Sequence, residues 1–246
     1  NRLLKEQKER AKNARKNAGA DAWLSDAVDF GGIEKTKFVG YTDLKADAKI
    51  LAIVKNGEKV EFGGTGDDVV VLDTTPFYAE SGGQVGDVGV ITTDNAKLIV
   101  RDTVKDHNGI YMHRCEIEEG TIEVGDSVKA EVDEKTRYST MRNHTAAHLL
   151  QAALRKVLGN HVEQAGQLVT PDKLRFDFTH FSALTDDEII EVEKLVNEEI
   201  FKAVDVVTKE MPIDKAKKLG AMALFGEKYG DIVRVVMVDD FSKEFC

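Results

Sequence analysis

The sequence predicts an α+β chain, and three observations carry that prediction. From about Lys37 the apolar residues follow a strand period, in short runs rich in Val and Ile with no helix between them. After Arg137 helical and strand periods alternate. Ahead of both, residues 1–16 are strongly helix-forming and lead into a loosely patterned stretch at 21–36, so the folded portions are preceded by a helical linker.

The first portion reads as a small barrel or sandwich. Residues 48–54 form a strand that runs into Lys55-Asn56-Gly57-Glu58, an Asn-Gly hairpin turn, and then into 59–62. Further strands are expected at 68–72, 88–92, 97–104, 109–116 and 127–132, separated by Gly or Asp/Asn turns. A domain boundary falls near 133–137.

The second portion opens with a helix over 141–158, closed by Gly159-Asn160. Residues 162–169 and 173–178 form a hairpin with Pro171-Asp172 in its turn. Thr185-Asp186-Asp187-Glu188 is a capping box, and the apolar face that follows carries a helix to about Ala203. A strand at 205–210, a short helix started by Pro212, a glycine-bounded loop at 220–230 and a buried strand at 232–238 complete the order. Residues 239–245 are expected to form a short segment, read as a loop, that carries Cys246.

Composition excludes several classes. Hydrophobic content of 42% and charged content of 32% describe an ordinary globular chain, and the longest apolar runs are too short to span a bilayer. Two cysteines, Cys115 and Cys246, make no disulfide framework, and with no signal peptide in view a reducing cytoplasm is the expected compartment. The net charge of −10 argues against a general nucleic-acid coat, but residues 1–16 carry seven basic and two acidic side chains. Such a basic arm could touch a phosphate backbone, or be a solvated helix end.

Two constellations could carry chemistry. His144 and His148 lie four apart on a helical pattern, one turn above each other, so two imidazoles can reach one ion. Chance supplies such a pair roughly one time in eight, so the spacing alone defines no site. Cys246 would make a set suited to zinc, or is a plain terminal thiol. The other constellation is Thr75-Pro76-Phe77-Tyr78-Ala79-Glu80-Ser81-Gly82-Gly83-Gln84-Val85-Gly86-Asp87. Adjacent glycines in a polar loop let the backbone approach a ligand and present amides to it, although a bland hairpin turn also explains them. Gly82, Gly83 and Gln84 are therefore candidate substrate contacts.

Residues 75–87, 142–159, 174–178, 220–229 and 239–246, taken together, strongly resemble the editing region of bacterial alanyl-tRNA synthetase. The resemblance covers nearly the whole chain. It implies a β-barrel over 37–135 and an α/β editing subdomain with an antiparallel sheet over 136–246, after a helical segment and linker at 1–36. It implies that His144, His148 and Cys246 are zinc ligands, and that the family's Cys-Gly-Gly-Thr-His motif places the fourth, a histidine, four residues beyond Cys246 and outside this chain. Gln164 falls where the family has a glutamine implicated in recognising the mischarged amino acid, and Gln164 and Thr145 are the candidate catalytic residues. Ala147, a candidate substrate contact, stands where relatives commonly carry threonine, so that either Gln164 or Thr145 does more of the discrimination or the discrimination is weaker. Arg175 and Asp177 lie in a matching motif, where either RNA contact or ion pairing accounts for them, as does Lys228.

The implied activity is hydrolysis of Ser-tRNA(Ala) and Gly-tRNA(Ala), with the tRNA(Ala) acceptor end and the remainder of the synthetase chain as partners and no membrane. ATP would serve only an aminoacylation domain outside this chain. Two other readings stand beside it: a free-standing editing protein, and a noncatalytic tRNA-binding module with a structural zinc.

Overall fold

A computed structural model describes residues 28–222 and 229–246. The helix expected at 1–16, the linker as far as residue 27 and Lys228 lie outside the described residues, and 28–36 is irregular. The described residues divide into two compact units: those up to Glu80 with Gly86–Glu134, and Ser81–Val85 with Lys135–Cys246. The fold class is α+β, as the two periods predict.

The first unit is built on β1 (Lys37–Phe38), β2 (Lys45–Lys55), β3 (Glu58–Val60), β4 (Phe62–Leu72), β5 (Thr74–Thr75), β6 (Gly89–Thr92), β7 (Lys97–Lys105), β8 (Tyr111–Glu123) and β9 (Ser127–Val132). Six of these close a barrel in the order β2-β4-β8-β7-β6-β9, because β9 pairs back onto β2 from Lys45↔Glu131 to Lys49↔Ser127. Closure leaves the ring without an open edge. Asn56 and Gly57, at φ 53° and 84°, make the two-residue turn between β2 and β3.

Inside are Ile50, Ile53, Val70, Leu72, Phe77, Ile91, Leu98, Cys115, Ile117 and Ile122, each at most 1% exposed. Phe77, from the stretch ahead of Gly82-Gly83, is thus a core side chain. Several strands outrun their apolar pattern. Residues 62–67 pair with 116–123 through the glycine-rich start of β4, with a bulge between Gly64 and Gly66. Backbone pairing around the ring, which side-chain hydropathy does not report, sets their length.

The second unit contains α1 (Glu134–Leu158), β10 (Gln164–Val169), β11 (Leu174–Phe178), α2 (Asp186–Lys202), β12 (Val206–Pro212), α3 (Ile213–Lys218), β13 (Ile232–Val238) and β14 (Ser242–Phe245). Helix α1 begins seven residues before the expected Met141, since its first turns, Glu-Lys-Thr-Arg-Tyr-Ser-Thr, carry no apolar stripe to announce them. β10 and β11 form the expected hairpin, with Thr170 N–H bonded to Lys173 O across Pro171-Asp172. The segment read as a loop at 239–245 is instead a tight turn followed by β14, which pairs Val238↔Ser242 through Val235↔Phe245. Asp239, at φ 47°, turns the chain quickly enough for residues 242–245 to return to β13 as a strand. The three strands are antiparallel with β13 central.

At the start of α2 the capping box forms in full. Glu188 N–H donates to Thr185 Oγ1, and the Glu188 carboxylate accepts from Thr185 N–H at 2.8 Å. Ala203 closes the helix in the left-handed region. Thr185→Ala is expected to lower stability by about 1 kcal/mol, the usual loss on removing such a cap. Urea unfolding of the parent and variant chains measures it, and equal midpoints would show that the cap carries no stability here.

Candidate metal centre

Helix α1 places His144 and His148 on one face. Their rings stack with centroids 5.2 Å apart and planes at 14°. His148 is buried and His144 half-buried. Asn143 anchors the same stretch by donating from Nδ2 to Thr170 O and Pro171 O at 2.8 and 3.2 Å. The third residue arrives from the sheet. Cys246 follows β14, its N–H bonded to Arg234 O on β13 at 3.0 Å, and its Sγ stands 3.7 Å from His144 Nε2. One ligand atom from each of His144, His148 and Cys246 lies within 4.8 Å of the others, so the three form a group that can hold a metal ion.

The surroundings fit that use. His144 Nδ1 bonds Gln84 Oε1 at 2.6 Å, and His148 Nδ1 bonds Glu244 Oε2 at 2.5 Å. With each Nδ1 engaged by an acceptor, each ring keeps Nε2 for an ion. Electrostatics prepares the sulfur. Burial alone pushes the Cys246 thiol up, but the hydrogen bonds and charges of His144 and His148 outweigh it and bring the thiol down to about 5. Burial likewise lowers His148, yet the bonds to Cys246 and Glu244 overcome it and raise the imidazole to about 9. The two directions are coupled, each partner favouring the other's charged form, and the thiolate they favour is the form of cysteine that ligates a metal.

The other candidate residues are distributed as follows. Gln84 is buried and reaches His144, while Gly82 and Gly83 form the turn ahead of it. Thr145 is half-buried on α1 beside His144, and Ala147 is buried at 2% exposure. Gln164 opens β10, half-buried and opposite Phe178. Among the described residues no side-chain hydrogen bond joins Thr145 or Gln164 to the histidines or the cysteine. Arg175 and Asp177 pair with each other on the exposed side of β11, at 3.1 Å. Glu244 is the residue that sequence reasoning missed. Its signal would have been a carboxylate two residues from a cysteine on an inward-facing strand position, which reading 239–245 as a loop concealed.

Comparison with known proteins shows the family. The sequence model of the class II tRNA synthetases (A) matches residues 1–136, and the chain belongs to that family. Among curated relatives, it is 52% identical over 248 residues to the alanine–tRNA ligase of Alkaliphilus oremlandii. It is 51% identical over 245 residues to that of Acetivibrio thermocellus, and 47% identical over 244 residues to that of Bacillus subtilis. Each alignment covers 99% of this chain and 28% of the relative's length, so the chain spans a little over a quarter of the proteins it matches. No helix among the described residues is long and apolar enough to cross a membrane.

Proposed function

We propose that this chain is the editing module of an alanine–tRNA ligase, a zinc-bearing hydrolase that removes serine or glycine wrongly esterified to tRNA(Ala). The observation that carries the reading is the convergence of His144, His148 and Cys246, with ligand atoms within 4.8 Å. The similarity of the chain to alanine–tRNA ligases over 99% of its length supports it. The partners are the acceptor end of tRNA(Ala) and the remainder of the synthetase chain, in the cytoplasm.

Selection explains why such a module is needed. A site sized for alanine cannot exclude glycine by bulk, because one methylene-sized group is worth only about 1–3 kcal/mol. Serine adds a single hydroxyl, which a small pocket also rejects poorly. Alanine lies between the two in size, so a second site working by size alone would destroy the correct product. A polar group left unpaired by alanine and satisfied by the serine hydroxyl spares it. Gln164, half-buried at the head of β10, has the amide for that role, and Thr145, next in sequence to His144, has a hydroxyl to assist it. Ala147 has neither, so either Gln164 or Thr145 does more of the discrimination or serine is discriminated more weakly.

The two imidazoles and the Cys246 thiolate would hold the zinc. When bound, that ion supplies Lewis-acid chemistry, polarising an ester carbonyl or activating a water. Hydrolysis of seryl-tRNA(Ala), set against alanyl-tRNA(Ala), tests the reading on the zinc-supplemented chain and on the longer synthetase that carries it. Faster loss of serine with alanine spared is the expected result. Retained tRNA affinity and bound zinc without hydrolysis would instead establish the noncatalytic tRNA-binding module.

A further inference from the structure

We propose that Gln84 and Glu244 are positioning residues of the metal centre, each holding Nδ1 of one histidine so that both rings present Nε2 to the ion. The inference rests on the zinc reading above and extends it to two residues outside the ligand set. An imidazole ligates through one nitrogen, and the partner of the other nitrogen decides its tautomer and ring orientation.

Gln84 meets that requirement for His144. Its side chain is buried, and Oε1 accepts from Nδ1 at 2.6 Å. The backbone aims it. Ser81 and Gln84 exchange backbone bonds of 3.2 and 3.0 Å, while Val169 N–H donates to Gly83 O and Val85 N–H to Val169 O. Gly82 and Gly83 adopt φ of 59° and 84°, and a Cβ at Gly83 would lie 2.4 Å from Gln167 O. Only glycine lets the turn press this closely on β10. The Gly-Gly-Gln motif, expected from sequence to contact substrate, delivers an acceptor to His144.

Glu244 does the same for His148. It is buried, its Oε2 accepts from Nδ1 at 2.5 Å, and its Oε1 has no hydrogen-bond partner among the described residues. Burying a carboxylate with half of its acceptors idle is costly, and the histidine is what that cost serves. The two acceptors also differ in kind, since a carboxylate makes its imidazole a more basic ligand than a neutral amide does.

Zinc affinity, measured by competition with a chromophoric chelator, and the tautomers of His144 and His148, read by nitrogen-15 NMR, test the proposal. The zinc-loaded parent is expected to carry the proton of both rings on Nδ1. Gln84→Ala is expected to weaken zinc by about 10–100-fold and to free His144 from a single tautomer. Gln84→Glu, which keeps an acceptor in place, recovers most of that loss. Glu244→Gln keeps an acceptor but removes the charge, and is expected to weaken zinc by about tenfold. A folded Gln84→Ala chain with parental zinc affinity and an unchanged His144 tautomer would overturn the positioning role while leaving the metal centre intact. A longer synthetase segment that extends past Cys246 to the expected fourth ligand and still takes up no zinc would overturn the metal centre, and this inference with it.

Discussion

His144→Ala is expected to abolish both zinc retention and seryl-tRNA(Ala) hydrolysis while leaving the barrel unit folded. Removing this imidazole leaves, among the described residues, His148 and Cys246 in the group, below the three protein ligands that zinc sites ordinarily require. The loss should exceed the roughly 10–100-fold that removal of an outer partner costs, because a direct bond to the ion disappears. A second consequence follows from the metal-free electrostatics. His144 Nε2, 3.7 Å from Cys246 Sγ, is one of the two groups that hold the thiol down to about 5. Without it the thiol should move back toward the ordinary range, and thiol-reactivity profiles against pH report that directly. Metal analysis, deacylation rates and circular dichroism together check the prediction. Unchanged zinc content in the variant would take His144 off the ligand list.

Acid is expected to destabilise the barrel unit by about 3 kcal/mol through His113 alone. The ring is fully buried on β8. Nδ1 donates to Val70 O at 2.9 Å, and Nε2 lies 2.7 Å from the Thr75 hydroxyl, which in turn accepts Phe77 N–H at 3.2 Å. Phe77 meets the ring edge-on at 5.3 Å. Every polar atom of the neutral imidazole is satisfied, and a second proton would face the hydroxyl that serves Nε2. Burial therefore lowers the imidazole from 6.5 to about 4, against the smaller opposing effect of the Val70 bond.

The sign follows from proton uptake. Between pH 6.5 and about 4 the unfolded chain binds a proton at this site and the folded chain does not, so acid favours unfolding. The stabilisation is complete above pH 6.5 and is lost as pH falls toward 4, and that interval is worth about 3 kcal/mol. Urea unfolding at pH 7.5 and 4.5 should show the parent losing about 2.5 kcal/mol more than a His113→Gln variant over the same interval. Equal losses in the two chains would show that His113 does not carry the acid sensitivity.

Local signals made much of this molecule legible. The Asn56-Gly57 turn, the Thr185 capping box and the proline at the head of α3 each act within four residues, and each forms where its chemistry requires. The His144–His148 spacing also needed only helical geometry to stack the rings. What escaped detection was either unpatterned or distant. The first turns of α1 have no apolar stripe, and the glycine-rich start of β4 looks unlike a strand until β8 lies beside it. Reading 239–245 as a loop failed because hydropathy does not show that Asp239 turns the chain back onto β13.

By itself, the sequence determined the α+β class, the order of its elements as far as Val238 apart from the two short strands at Lys37–Phe38 and Thr74–Thr75, and the pair of imidazoles on one helical face, since all of these follow from periodicity and short-range sterics. Tertiary structure alone decided that β9 closes the barrel on β2, and that Cys246 arrives from a strand 102 residues away in sequence from His144. It also decided that Gln84 and Glu244 turn toward the histidines. The physical reason is the same in each case. A strand pairing or a hydrogen bond between distant residues depends on where two backbones are brought together, and no residue type near either end encodes that meeting.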